Sequence, residues 1–233
     1  KCWSKTLRRT CATNRTSGLA TKFASAQQTR ERRRHLPTVL CVDPGFSRTG
    51  WAVFNGDALL CAGLIETEKD PAKERKSDDV VDRCALIAQS LAGEIWDHEI
   101  TRVAWEVPPG GAQSASALGA LERIKGVMAA VLGILAVPDT RFTPQAVKLA
   151  ACGTHKATKQ EIETAVLKRW PGAAVYLPRA KARREHICDA LAVHIAFLKK
   201  YPAGVLPEAR GVECGETICQ TLLPCGHKNA DAV

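Results

Sequence analysis

The stretch Val39-Leu40-Cys41-Val42-Asp43-Pro44-Gly45-Phe46-Ser47-Arg48-Thr49-Gly50-Trp51-Ala52-Val53-Phe54 decides the fold. Four apolar residues end on a carboxylate, Pro-Gly breaks the chain, and a second apolar run follows Gly50. That pattern predicts strands at 38–43 and 50–55 joined by a tight loop. Asn55-Gly56 is a hairpin signal and leads into a third strand at 58–66. Asp43 therefore sits at the end of a buried strand, where a carboxylate is costly unless it is paired or binds a cation. Gly45 and Gly50 allow close backbone approach on either side of the loop.

Outward from this meander, helices begin to separate the strands. Residues 78–98 read as an amphipathic helix, with Ser77 as N-cap and a stripe of Val80, Val81, Cys84, Ile87, Ala88, Leu91 and Ile95. A strand at 102–107 is followed by a long helix at 113–136, buried mostly in its C-terminal half, and by a short strand at 139–143. Helices are expected at 144–151, 157–170 and 185–200, with Pro171 and Pro178 bracketing an irregular stretch. The order implies an α/β chain: a mixed five-stranded sheet flanked by helices, antiparallel at first and parallel where helices intervene. Asp43 and Glu106, which closes the run Val103-Ala104-Trp105, then lie at the ends of neighbouring strands.

His186 and Asp189 are three apart, so they share one helix face, and a place near the helix start would favour the carboxylate through the dipole. Each group has an ordinary reading: a turn for Asp43-Pro44-Gly45, a solvated strand-end Glu106, a first-turn Asp beside an exposed His. Asp-x-Gly after a first strand also opens the phosphate loop of actin-like ATPases and sugar kinases. That reading needs a second such loop and a second domain, and neither is apparent. Taken together, two strand-end carboxylates with a helical His-x-x-Asp suggest a Mg²⁺ site suited to phosphodiester hydrolysis.

The chain has 233 residues and a formal net charge of +9, enough length for one full-sized domain with extensions. Residues 1–37 hold ten Lys/Arg and one Glu, whereas 38–202 hold 21 Lys/Arg against 19 Asp/Glu. The charge excess thus belongs to the arm, which lacks hydrophobic periodicity and is expected to be disordered in isolation. A nucleic-acid-binding tail, an organellar transit peptide and a segment without function compete for it. Within the core, nine basic residues fall between 148 and 184 against Glu161 and Glu163 alone. Lys148, Lys156, Lys159, Arg183 and Arg184 are the expected phosphate contacts; the ordinary alternative is a solvated helix face plus a basic loop. Gly126 to Val137 is too short to span a bilayer, so no membrane association is expected. Cys41, Cys61, Cys84 and Cys188 lie in apolar patterns and read as reduced thiols of a cytoplasmic protein, bacterial or phage-encoded. Residues 203–233 form a Cys-containing tail, expected to be disordered. Cys214, Cys219, Cys225 and His227 are zinc-ligand types, but their spacing is not that of a common zinc finger.

The segments in combination resemble the RuvC family of Holliday-junction resolvases, in the ribonuclease H-like superfamily, over about Thr38 to Lys200. Val42-Asp43-Pro44-Gly45 with Thr49-Gly50-Trp51-Ala52-Val53 looks like the family's first strand pair, and Trp105-Glu106-Val107 its second acidic position. Ser114 to Leu118 with Gly119, through Lys125-Gly126-Val127, is similar to the helix that follows. Thr143-Pro144-Gln145-Ala146-Val147-Lys148 and Thr158-Lys159-Gln160-Glu161-Ile162 resemble the DNA-contacting region. His186-x-x-Asp189-Ala190 occupies the last motif. The chain departs from the family where an aromatic residue often follows the second acid; here the stretch is Val107-Pro108-Pro109.

The resemblance implies a ribonuclease H-like fold and a metal-dependent endonuclease that resolves four-way junctions by paired nicks, leaving 5′-phosphate ends. It implies Asp43, Glu106, His186 and Asp189 as catalytic and metal-binding residues. Two Mg²⁺ ions, or Mn²⁺, would be held per site, Asp43 bridging them, with His186 as an alternative proton-transfer group. Branched DNA, a second copy of the chain and a branch-migration motor are the implied partners; the helix at 113–136 is a candidate for the dimer contact, with simple core packing as its ordinary reading. The missing aromatic puts strict junction selectivity in question. Another ribonuclease H-like nuclease or a transposase is the nearest rival; a non-catalytic DNA-binding relative fits the intact acidic set poorly.

Overall fold

A run of Val39, Leu40, Cys41 and Val42, each no more than 1% exposed, makes β1 (Thr38–Asp43) a central strand covered on both faces. It pairs antiparallel with β2 (Arg48–Asn55), which pairs antiparallel with β3 (Ala58–Glu66). On its other side β1 pairs in parallel with β4 (Arg102–Glu106), and β4 with β5 (Asp139–Phe142). The sheet order is β3-β2-β1-β4-β5. The computed structural model describes residues 36–107 and 114–202. The arm up to residue 35, Pro108 to Gln113 and the tail from residue 203 lie outside the described residues. The expectations for Pro108-Pro109, Cys214, Cys219, Cys225 and His227 go with them.

Alternate residues of the strands face two helical layers. Leu40, Val42, Val53, Val103 and Trp105 pack against α1 (Lys76–Asp97) and α2 (Ala115–Ile134) through Ile87, Leu91, Ile124 and Met128. Val39, Cys41, Ala52, Phe54 and Ala104 pack on the other side. There they meet α3 (Pro144–Cys152), α4 (Lys159–Arg169), a 3₁₀ turn at Pro171–Tyr176, and α5 (Lys181–Lys200). This is the mixed five-stranded sheet with flanking helices that the segment order implied.

Several details differ from the sequence reading. The helix expected from residue 78 starts at Lys76 behind Arg75, whose side chain makes no cap bond, so Ser77 is not the N-cap. Its buried stripe runs Asp79, Arg83, Ile87, Leu91, Ile95, and Val81 is 63% exposed. An ion pair, not two valines, fills the first turns of that stripe. The last helix starts at Lys181 rather than 185. His186 and Asp189 therefore sit in its second and third turns, where the helix dipole has faded and no longer favours the Asp189 carboxylate.

α5 is locked to the sheet by close contacts. A Cβ at Gly50 of β2 would meet the His186 carbonyl oxygen at 2.0 Å, so only glycine permits this approach. Lower down, the fully buried His194 ring stacks on Phe54 at 3.6 Å between centroids and 9° between planes. Its Nε2–H donates to the Gly56 carbonyl at 2.9 Å, and Nδ1 lies 3.5 Å from the Cys41 Sγ. Burial pushes this imidazole down to about 3, so it is neutral.

Candidate active site

The carboxylates meet at the C-terminal edge of the central strands. Val42 pairs with Trp105 in the parallel register, which sets Asp43 beside Glu106 at the two strand ends. The loop after Asp43 is closed by Thr49, whose Oγ1 donates to the Gly45 carbonyl at 2.8 Å and accepts from the Gly45 N–H at 3.3 Å. A Cβ at Gly45 would meet the Arg48 carbonyl at 2.3 Å, so the tightness of this turn requires glycine. α5 then crosses over the strand ends. It brings His186 Nδ1 to 2.8 Å from Asp43 Oδ2 and places Asp189, 6% exposed, under the same edge.

The electrostatics follow from three acids sharing one half-buried place. Burial first, then the charges of Asp43 and Asp189, pushes Glu106 up to about 8. Asp189 is pushed up to about 6, by burial and then by Asp43, against the pull of Lys159 and His186. Lys159 donates to Asp189 Oδ2. Burial works against its charge, but Asp189, Asp43 and Glu106 outweigh it, and the ammonium's pKa is raised. A capping box holds this lysine in position. Thr158 N–H donates to Glu161 Oε2 at 2.6 Å, the Thr158 hydroxyl accepts from Glu161 N–H at 3.3 Å, and Lys159 opens the helix.

Asp43, Glu106, His186 and Asp189 are thus brought together. Among the described residues no three His, Cys, Asp or Glu side chains already stand in ligand geometry around one point. As they stand, His186 and Lys159 occupy carboxylate oxygens of Asp43 and Asp189. The donor set nonetheless fits a hard divalent cation. It offers three carboxylates and an imidazole, and two of the acids are driven toward protonation by burial first and by the neighbouring carboxylates after it, a cost that such an ion would relieve.

The five basic residues expected on DNA are not equivalent. Lys159 points into the acidic cluster, and Lys148 is close enough to lower the Glu106 pKa. Arg183 Nε donates to Glu66 Oε1 at 3.0 Å, Arg184 pairs with Glu163, and Lys156 is exposed.

Sequence reasoning missed the support of the Asp43 loop. Arg83, 8% exposed, donates through Nε to the Thr67 hydroxyl at 3.0 Å and through Nη2 to the Ser47 hydroxyl at 3.1 Å and the Phe46 carbonyl at 3.3 Å. Its guanidinium carbon lies 4.2 Å from the Phe46 ring centroid. Asp79, one helical turn before, pairs with it at 3.7 Å and accepts the Asp70 N–H at 2.9 Å. The signal was a charged pair at i, i+4 continuing the spacing of Ile87, Leu91 and Ile95.

Comparison with known proteins bears on the family and the fold. The family model described as crossover junction endodeoxyribonuclease RuvC matches residues 39–197. The crossover junction endodeoxyribonuclease RuvC of Zymomonas mobilis subsp. mobilis is 30% identical over 160 residues, covering 67% of this chain and 87% of that protein. That of Gluconacetobacter diazotrophicus is 32% identical over 162 residues, with the same shares of 67% and 87%. Among solved structures, Thermus thermophilus RuvC in complex with a Holliday junction substrate superposes with a TM-score of 0.55 at 21% identity. That match covers 70% of this chain and 92% of that one, and shows a shared fold.

Proposed function

The chain belongs to the crossover junction endodeoxyribonuclease RuvC family, and from that premise we propose that it resolves four-way DNA junctions by metal-dependent paired nicking at the Asp43–Glu106–Asp189 cluster. The observation that carries the site is the convergence of three acids from β1, β4 and α5 at a place where burial, and then the charges of Asp43 and Asp189, raise Glu106 to about 8. A fold gains nothing from such repulsion unless a cation is to be bound.

Asp43, Glu106, Asp189 and His186 would hold the metal, two Mg²⁺ ions with Mn²⁺ as substitute. Bound there, the ions would supply Lewis-acid stabilisation of the scissile phosphate and would lower the pKa of a bound water so that it can lose a proton and act as nucleophile. His186 is fixed through Nδ1 on Asp43, which leaves Nε2 as the atom that would bind the metal or, in the alternative role, transfer a proton. Lys159, released from Asp189, and Lys148 are placed to offset the charge of the phosphate that enters. A two-fold homodimer would present two such sites to a pseudo-symmetric junction. A branch-migration motor is the further partner this role calls for.

The test is cleavage of a synthetic four-way junction beside duplex, flap and single-stranded controls, with Mg²⁺ or Mn²⁺. The wild type is expected to nick the junction preferentially. Asp43→Asn is expected to lose cleavage and retain junction binding, since it removes a charge but little surface. Near-wild-type cleavage by this variant refutes the site, and equal cleavage of all substrates refutes the junction reading.

A further inference from the structure

On the side of the acidic cluster away from Lys148, two arginines share one carboxylate oxygen. Arg48, at the start of β2, and Arg183, one turn before His186 on α5, each donate Nε–H to Glu66 Oε1 at 3.0 Å. All three side chains are partly open, 41%, 48% and 29% exposed for Arg48, Arg183 and Glu66. The two arginines hold Glu66 below the ordinary carboxylate range, although its modest burial works the other way. One carboxylate offsets one guanidinium, so the trio keeps one positive charge. Beside it lies a polar cavity of about 360 Å³ lined by Ser47, Lys69 and Glu68 as well as Arg48 and Glu66.

We propose that Arg48 and Arg183, oriented by Glu66, form a second phosphate-holding subsite of the active site, which grips the backbone of the strand being cut. The inference rests on the DNA-cleaving reading above and adds Arg48 and Glu66 to it. Each guanidinium spends its Nε–H on Glu66, and that fixes the plane of the group. The outer Nη edge is then presented in the fork geometry that matches a phosphate. Position supports this. Along the sheet order β3-β2-β1-β4-β5, the trio sits at the β3/β2 end and Lys148 follows β5, with Asp43 and Glu106 between them. A strand laid across that edge would be held on both flanks of the scissile phosphate. The trio lies one to two strand spacings from Asp43, roughly 5–10 Å. At about 3.4 Å of rise per nucleotide, that is two or three nucleotides from the cut.

The test measures junction affinity from 50 to 200 mM salt for wild type, Arg48→Gln and Arg48→Lys, each checked for an unchanged thermal transition. A lost phosphate contact lowers the slope of log K against log salt by about 0.9, so the affinity change over that range shrinks about 3.5-fold. Arg48→Gln is expected to show this and Arg48→Lys to restore it, whereas an ion pair of purely structural role would leave both slopes at the wild-type value. Neutral methylphosphonates placed singly along the strand are expected to abolish the wild-type advantage over Arg48→Gln two or three nucleotides from the nick and nowhere else. Unchanged slopes, or no coupled position, overturn the subsite while wild-type junction cleavage stands. Absence of junction binding by the wild type overturns the underlying reading instead.

Discussion

Glu106→Gln is expected to make the metal-free protein more stable at neutral pH while removing cleavage. The Glu106 carboxyl is raised from 4.5 to about 8, by burial first and by Asp43 and Asp189 after it. An acid whose folded pKa lies above its unfolded one binds its proton more tightly when folded. Folding is therefore most favourable at or below pH 4.5, loses stability as pH rises through the window from 4.5 to 8, and is flat above it. At pH 7 the chain has crossed about 2.5 units of that window, at about 1.36 kcal/mol per unit, which sets an upper value of about 3 kcal/mol. Glutamine keeps the shape of the side chain and removes the group that ionises.

The assay is urea unfolding of both proteins from pH 4.5 to 8.5 with a chelator present. With a slope near 2 kcal/mol per molar urea, the variant's midpoint at pH 7 is expected up to about 1.5 M higher, and the gap is expected to close toward pH 4.5. Saturating Mg²⁺ is expected to stabilise the wild type and narrow the gap, because a ligand bound only by the folded state adds to its stability. A variant that is no more stable at pH 7, or one whose advantage does not change with pH, would refute burial and mutual repulsion as the forces acting on Glu106.

Two further substitutions test the scaffold. Gly50→Ala would set a Cβ 2.0 Å from the His186 carbonyl; a cost of about 1–3 kcal/mol is expected in urea unfolding. Single-turnover cleavage is expected to fall about 100-fold as α5 moves off Asp43, and wild-type values for both would show that this contact is easily relaxed. Arg83→Met would leave Asp79 buried and unpaired and is expected to cost about 3–5 kcal/mol. Adding Asp79→Leu is expected to recover most of that loss in the same melts, and no recovery would mean that the arginine acts through the Phe46 loop alone.

Strands built from hydrophobic runs were legible in the sequence. The segments 38–43 and 58–66 coincide with β1 and β3 because their ends are marked by Asp43-Pro44-Gly45, Asn55-Gly56 and Glu66. Elements that start on charged residues were not. β2 begins at Arg48, two residues before the apolar run, because its first rung is the Arg48–Glu66 ion pair rather than a hydrophobic contact. α5 begins at Lys181 because its first turn, Lys181-Ala182-Arg183-Arg184, is stabilised by Glu66 and Glu163 from other elements. Periodicity detects a buried face and is blind to a helix turn held by long-range ion pairs. The same limit hid the acidic partner of Lys159. Its neighbourhood in sequence is basic and suggests DNA, while its neighbour in space is Asp189, thirty residues on.

The acidic cluster is unfavourable by itself, so its geometry has to be maintained by contacts beneath it. Several of those contacts are apolar or neutral. Beneath Asp43, β1 is buried on both faces, and Gly50 admits α5 to van der Waals range. Two turns further along α5, the neutral His194 stacks on Phe54 and ties the helix to Gly56 of the β2–β3 turn. A charged group at position 194 would be repelled by the same desolvation that keeps the imidazole near 3. The helix that carries Asp189 is thus fixed at two points by contacts that do not respond to neutral pH. Protonation or cation binding at Glu106 and Asp189 can then change the charge of the site without moving the frame that aligns it. That separation lets one edge of the sheet carry groups raised to about 8 and about 6 while the sheet and α5 keep the register that brings them together.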